Sequence, residues 1–133
     1  MPGFRHGRHG RWQEQGFSRR AVRMLEPTLL LLLHHGRSHG YTLLDHLHSY
    51  GLDGLHPSVV YRSLRDMEQR GWIVSVWDEK QSQGPPRRVY RLTKTGNRIL
   101  ALWVEDLRDT REHIDSLLNA YDRHMNEGSG EHH

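Results

Sequence analysis

The side chains best equipped for chemistry in this chain are arginines, and they are unevenly placed. Arg62 and Arg65 lie in one segment with Ser58, Tyr61 and Ser63, while Lys80, Arg87, Arg88 and Arg91 flank a polar stretch that ends in Gly84-Pro85-Pro86. A guanidinium is a planar fork of donors that matches phosphate oxygens or the major-groove edge of guanine. A hydroxyl such as that of Tyr61 near the start of the same segment can add a hydrogen bond to phosphate. Taken singly, each of these residues reads as an ordinary solvated side chain. In the order helix, strand, basic loop, strand they fit duplex nucleic acid, with the helix in a groove and the loop on the backbone beside it. Charge follows the same plan: residues 1–25 carry a net +5, residues 26–98 a net +3 and residues 99–133 a net −5. A basic front and an acidic rear suit a protein that turns one end toward a polyanion.

Histidine is the second constellation. There are twelve, six of them between His34 and His56. Imidazoles bind transition metals and haem and titrate near neutral pH, so a metal- or haem-responsive protein is one alternative reading. The spacing argues against it. Gly36 separates His35 from His39, His46 and His48 point to different faces of a helix, and His113 and His124 stand about 16 Å apart at the helical rise. The chain has no cysteine and no HExxH spacing, so metal ligands stay unassigned and no cofactor is expected. Motifs for catalysis are missing too: there is no GxSxG, no phosphate-binding glycine loop and no nucleophilic thiol. The adjacent acids Asp78-Glu79 and Glu105-Asp106 read as solvated pairs, and the chain is not expected to be an enzyme.

Several elements must position these groups. A length of 133 residues suits one domain,. The longest apolar run, Leu29 to Leu33, cannot cross a bilayer, and no signal-peptide pattern opens the chain. The expectation is a soluble cytoplasmic protein without membrane contact. Residues 1–20 read as a flexible basic arm of Gly, Arg and His. Residues 21–35 read as a largely buried helix with Pro27 in its first turn and Gly36 at its end. Ser38 is a plausible cap for a helix over His39 to Ser49, with Tyr41, Leu44 and Leu47 as its inward stripe and Leu43 beside it. A third helix starts near Pro57 and Ser58, buries Val60, Leu64 and Met67, and stops at Gly71. Trp72 to Trp77 is β-branched and aromatic, hence a strand, and Arg87 to Leu92 alternates as its returning partner. Thr93 then caps a final helix of about thirty residues, in which Ile99, Trp103, Leu107, Ile114, Leu118 and Tyr121 keep a near-heptad rhythm, widened by Leu100, Val104 and Leu117. So wide an apolar stripe on so small a domain points to burial against a second copy of the chain.

These residues carry a resemblance. His39-Gly40-Tyr41 after an apolar helix, then Val60-Tyr61-Arg62-Ser63-Leu64-Arg65-Asp66-Met67-Glu68-Gln69-Arg70-Gly71-Trp72-Ile73, then Gly84-Pro85-Pro86-Arg87-Arg88-Val89-Tyr90-Arg91-Leu92-Thr93-Lys94-Thr95-Gly96 resembles the PadR family of transcriptional regulators over about residues 25–125. The three motifs are specific jointly. The resemblance implies a winged helix-turn-helix homodimer that binds a palindromic operator, usually as a repressor released by an effector. It places Tyr61 and Arg62 at the DNA-facing start of the recognition helix and Gly84, Arg87 and Arg88 in the wing. It makes the C-terminal helix the dimerisation element. Arg37 and Thr42 depart from the family's usual Pro and Glu or Ala, with consequences for local packing only. Family members that bind flat aromatic ligands between subunits place a tryptophan on the last helix. Trp103 lies about one turn before that position, which Leu107 occupies. Both are therefore candidate effector contacts, and dimer core is the preferred role of Trp103.

The expected fold is mainly α with a small β-hairpin: a winged helix-turn-helix followed by a long dimerisation helix. The expected parts are a basic arm over 1–20, the DNA-binding domain over 21–93, the dimerisation helix over 94–125 and a disordered tail over 126–133. Ser58, Tyr61, Arg62, Ser63, Arg65, Lys80, Gly84, Arg87 and Arg88 are the expected DNA contacts. Ile99, Leu100, Trp103, Leu107, Ile114, Leu118 and Tyr121 are the expected dimer contacts. The expected partners are double-stranded DNA, a second copy of the chain and a small-molecule effector. Besides the metal-responsive reading, a winged helix serving as a protein-interaction module is the remaining alternative.

Overall fold

The computed structural model describes residues 22–52, 54–78 and 87–131. The chain divides into two units, Met1–Leu100 and Ala101–His133. The first contains helix α1 (22–35), strand β1 (Ser38–His39), helices α2 (Gly40–Ser49) and α3 (Pro57–Gln69), strands β2 (Ile73–Asp78) and β3 (Arg87–Leu92), and the first turns of helix α4 (Lys94–Glu131). The described part of the second unit is the remainder of α4. The basic arm over 1–20 and the wing-tip residues Lys80 and Gly84 lie outside the described residues.

The core of the first unit is built by helical periodicity. Leu25, Leu29, Leu30 and Leu33 of α1, Leu43 and Leu47 of α2, Val60, Leu64 and Met67 of α3, and Ile73 of β2 are at most 3% exposed. Each such side chain contributes about 1.5–3 kcal/mol on leaving water. The predicted buried face of α3 is thus the observed one. That of α2 is rotated: Gly40, Leu43 and Leu47 are buried, Leu44 is half-buried and Tyr41 is exposed. The cause is the close approach of α3 described below, which requires the side without a Cβ.

Two local expectations are corrected at the start of the chain. Pro27 does not open α1, because the helix already runs from residue 22 with Leu25 buried. Its missing N–H leaves the Arg23 carbonyl without the usual bond, and the Thr28 hydroxyl donates to the neighbouring Met24 carbonyl at 2.7 Å,. Ser38 is not a helix cap. It belongs to β1, a strand the sequence reading did not contain. There Ser38 pairs with Tyr90 and His39 with Val89, antiparallel. His39 is the residue that precedes α2, and among the described residues its side chain makes no cap bond.

The sheet has the order β1-β3-β2 and is antiparallel throughout. The register of the wing strands sets Ser75 opposite Tyr90, Trp77 opposite Arg88 and Asp78 opposite Arg87. With a period of two, Ile73, Ser75, Trp77, Arg88, Tyr90 and Leu92 share one face. Arg87, Val89 and Arg91 lie on the other with His39, Val74, Val76 and Asp78.

Helix α4 is seated by its first turn. The Thr93 hydroxyl accepts from the Gly96 N–H at 3.0 Å, which makes Thr93 the cap the sequence suggested, and it lies 2.7 and 2.9 Å from the carbonyls of Gly71 and Trp72. Leu100 is buried in the first unit at 8% exposure. It is therefore used by the winged domain itself and is not free for a dimer contact, because the domain extends past residue 93 into the first turns of α4. At its other end α4 continues to Glu131 instead of giving way to a tail at 126. A glycine such as Gly128 costs a helix about 1 kcal/mol but does not stop one already nucleated.

Candidate nucleic-acid interface

Helix α3 begins with Pro57 in the first turn, where its missing N–H costs nothing,. The cap is His56: its Nδ1 accepts from the Ser58 N–H at 3.1 Å and lies 2.8 Å from the Ser58 hydroxyl. From there the spacing i, i+4, i+7, i+11 sets Ser58, Arg62, Arg65 and Gln69 along one stripe. All four are exposed, and the stripe runs opposite Val60, Leu64 and Met67. Ser63 is half-buried on a flank, next to the core face. Among the described residues Arg62 and Arg65 enter no ion pair, so their guanidinium groups are presented to solvent.

Tyr61 occupies the other flank, 36% exposed, and explains the glycine of the His-Gly-Tyr segment. A Cβ placed on Gly40 would stand 2.7 Å from Tyr61 Cε1 and 3.0 Å from its hydroxyl. Only glycine lets the tyrosine ring lie on the first turn of α2. The flanking residues serve the wing. His39 Nε2 lies 3.0 Å from Asp78 Oδ2, at the end of β2. The Tyr41 ring stacks on His39 with centroids 5.2 Å apart, and the Arg87 guanidinium sits 4.5 Å from the Tyr41 centroid. The segment therefore touches both α3, through Tyr61, and the wing root, through Asp78 and Arg87, with its central glycine as the close-approach point.

A cleft opens between α3 and the sheet, lined by Gly40, Tyr41, Tyr61, Arg65, Glu68, Gln69, Arg87, Arg88 and Tyr90. Arg88 is not loose within it. Its guanidinium donates to the Ser75 hydroxyl at 2.7 Å, stands 3.8 Å from Glu68 and lies 4.8 Å from the Trp77 ring centroid. The Ser75 hydroxyl in turn donates to Glu68 at 2.8 Å. Burial pushes the Tyr90 hydroxyl above its usual pKa. Arg88 opposes this shift and the Glu68 carboxylate adds to it. Tyr90 is accordingly a neutral phenol at physiological pH.

The structure thus brings Tyr61, Arg65, Arg87 and Arg88 to one cleft and sets Ser58 and Arg62 along its helix edge. Sequence reasoning missed Tyr41, Glu68, Ser75 and Trp77. Only the strand register puts Ser75 and Trp77 beside Arg88, and a long loop does not disclose a register. The histidines do not converge. His34 Nδ1 lies 3.0 Å from Asn97 Oδ1, His39 engages Asp78, His56 caps α3, and His46 and His48 are exposed on α2. Among the described residues no three His, Asp or Glu side chains gather where they could hold a metal ion. No helix among the described residues is long and apolar enough to cross a membrane.

Helices α2 and α3 with the β2–β3 hairpin, followed by α4, define a winged helix-turn-helix protein with a long C-terminal helix. The PadR-like family of transcriptional regulators matches residues 29–102. Similar solved structures include a conserved protein of unknown function described as a potential transcriptional factor, 32% identical over 77% of this chain and 90% of its own, with a TM-score of 0.67. A PadR-like transcription factor from Bacteroides fragilis is 25% identical over 75% and 95% of the two chains, with a TM-score of 0.63. A PadR family transcription regulator from Clostridium difficile shares the fold at 22% identity, over 71% and 98%, with a TM-score of 0.65. Among curated proteins, none matches the sequence. The chain belongs to the PadR-like family of transcriptional regulators, a family of regulators rather than enzymes.

Proposed function

We infer that this regulator binds double-stranded DNA as a homodimer and represses transcription from a palindromic operator until an effector releases it. The observation that carries the reading is the solvent-facing stripe of Ser58, Arg62, Arg65 and Gln69, set beside a wing root that carries Arg87. A helix of this kind lies in a major groove with the arginines toward guanine edges or phosphates, while the wing meets the adjacent backbone. In this reading Tyr61, 36% exposed on the flank of the helix, donates its hydroxyl to a phosphate. Lys80 and Gly84, which fall between the two wing strands in the sequence, are proposed to add to this contact.

The dimer is proposed from α4. Ile114, Leu117, Leu118, Tyr121 and Met125 are between 49% and 71% exposed in a single chain. Ile114, Leu118, Tyr121 and Met125 continue the stripe of Trp103 and Leu107 in steps of four, seven and three. Pairing two such stripes removes them from water and yields two recognition helices, each reading one half-site about 34 Å from the other. An effector held by Trp103 and Leu107 would change that separation and lower affinity for the paired sites. Binding sites mapped across the genome supply an operator for the test. The purified chain is titrated with that duplex and with a random one over a range of salt. Tighter operator binding with a steep salt dependence is expected; equal binding to both duplexes at every salt concentration would sink the reading.

A further inference from the structure

We propose that Arg88 is a positioning residue that holds the wing at its angle to the recognition helix, and that at this point of the wing Arg87 makes the phosphate contact. The inference rests on the DNA-binding reading above. The two arginines are sequence neighbours on one strand and line the same cleft, yet their guanidinium groups take different partners. Arg88 turns toward α3. Its guanidinium donates to Ser75 at 2.7 Å, lies near the Trp77 ring and stands 3.8 Å from Glu68. Ser75 completes the chain by donating to Glu68 at 2.8 Å. Strand β2, strand β3 and helix α3 are thereby joined through three side chains. To reach a phosphate, Arg88 would have to leave a hydroxyl, a carboxylate and an aromatic face together. Arg87, by contrast, rests on Tyr41 and has no carboxylate partner among the described residues. An arginine stacked on an aromatic ring keeps its in-plane donors free for phosphate.

Glu68 gives the proposal its sharpest consequence. It faces the cleft shared with Arg65 and Arg87. Simple charge counting says that removing a carboxylate from a DNA-facing cleft tightens binding. If Glu68 and Arg88 act as a strut, removing it weakens binding instead, because the wing loses its fixed angle.

The test measures affinity of the full chain for one random-sequence duplex of about 30 base pairs, roughly three helical turns, across salt concentrations. Arg88→Gln and Glu68→Ala are each expected to weaken binding about tenfold, near the 1.4 kcal/mol that separates one decade from the next. Both are expected to leave the slope of log affinity against log salt and the melting temperature unchanged. The double variant is expected to be no weaker than either single one, since both remove the same strut. Arg87→Ala is expected to reduce the slope by about 0.9, the signature of one lost phosphate contact. A slope reduced by about 0.9 in Arg88→Gln, or tighter binding by Glu68→Ala, overturns the inference while the DNA-binding reading stands. Duplex binding by the wild-type chain that shows no salt dependence overturns both. Glu68 is on the surface of a helix, so its alanine variant keeps the test decisive even if Arg88→Gln folds poorly.

Discussion

Gly96→Ala tests how the long helix is joined to the winged domain. A Cβ on Gly96 would fall 2.0 Å from the Trp72 carbonyl oxygen and 2.6 Å from Leu92 Cδ1. Carbon and oxygen ordinarily approach no closer than about 3.3 Å, so one side must move by roughly 1.3 Å. The oxygen cannot simply yield. It accepts the Thr93 N–H at 3.0 Å and stands 2.9 Å from the Thr93 hydroxyl, the group that caps α4. Moving it costs hydrogen bonds worth about 1 kcal/mol each, added to an overpacking penalty of about 1–3 kcal/mol. Alanine returns about 1 kcal/mol through its helix propensity. The expected net loss is therefore about 2–4 kcal/mol. Chemical denaturation at fixed protein concentration measures it, because association makes the midpoint concentration-dependent. Gly128→Ala is the control: it lies on the same helix with nothing within 4 Å of the added carbon, and it is expected to be neutral or slightly stabilising. A Gly96→Ala protein as stable as the wild type would refute the claim that backbone contact at Trp72 seats α4.

Three further outcomes are expected. Gly40→Ala should displace the Tyr61 ring, which its Cβ would otherwise meet at 2.7 Å. Duplex affinity should then fall severalfold, with a stability loss of about 1–3 kcal/mol from overpacking; unchanged affinity would show that Tyr61 has no part in binding. Ile114→Asp with Leu118→Asp should convert the proposed dimer to a monomer in sedimentation, because both charges fall in the exposed α4 stripe, and a dimer that survives would exclude that stripe as the interface. The contribution of Tyr90 to stability should be constant below pH 10 and be lost as pH rises further,. Burial holds Tyr90 above the ordinary tyrosine value of 10.0, so the folded state keeps a proton that the unfolded chain releases. Tyr90→Phe should flatten that decline relative to the wild type, and identical alkaline profiles would rule out the contribution.

Local pattern was enough for much of this protein. The apolar steps of Val60, Leu64 and Met67, the glycine stop at Gly71 and the β-branched run through Ile73 and Val74 are short-range signals. They report which side of an element will be buried before anything is packed against it. Thr93, whose cap bond spans three residues, is legible for the same reason. Patterns of this range were sufficient for the winged fold and for the arginines on α3.

Tertiary structure decided how the elements address one another. Tyr41 fits a helical stripe as well as Leu43 does, and only the Tyr61 ring over Gly40 turns α2 so that Leu43 goes inward. Strand β1 is two residues long and exists because β3 offers it an edge, so its own sequence carries no strand signal. Arg87 and Arg88 are equivalent in composition and adjacent in the chain. Their different partners, Tyr41 for one and Ser75 with Glu68 for the other, depend on the strand register and on how α2 and α3 pack beside the sheet. Register depends on pairings made across a loop whose length does not specify them, and so it is settled by packing against α2 and α3 rather than by any stretch of sequence alone.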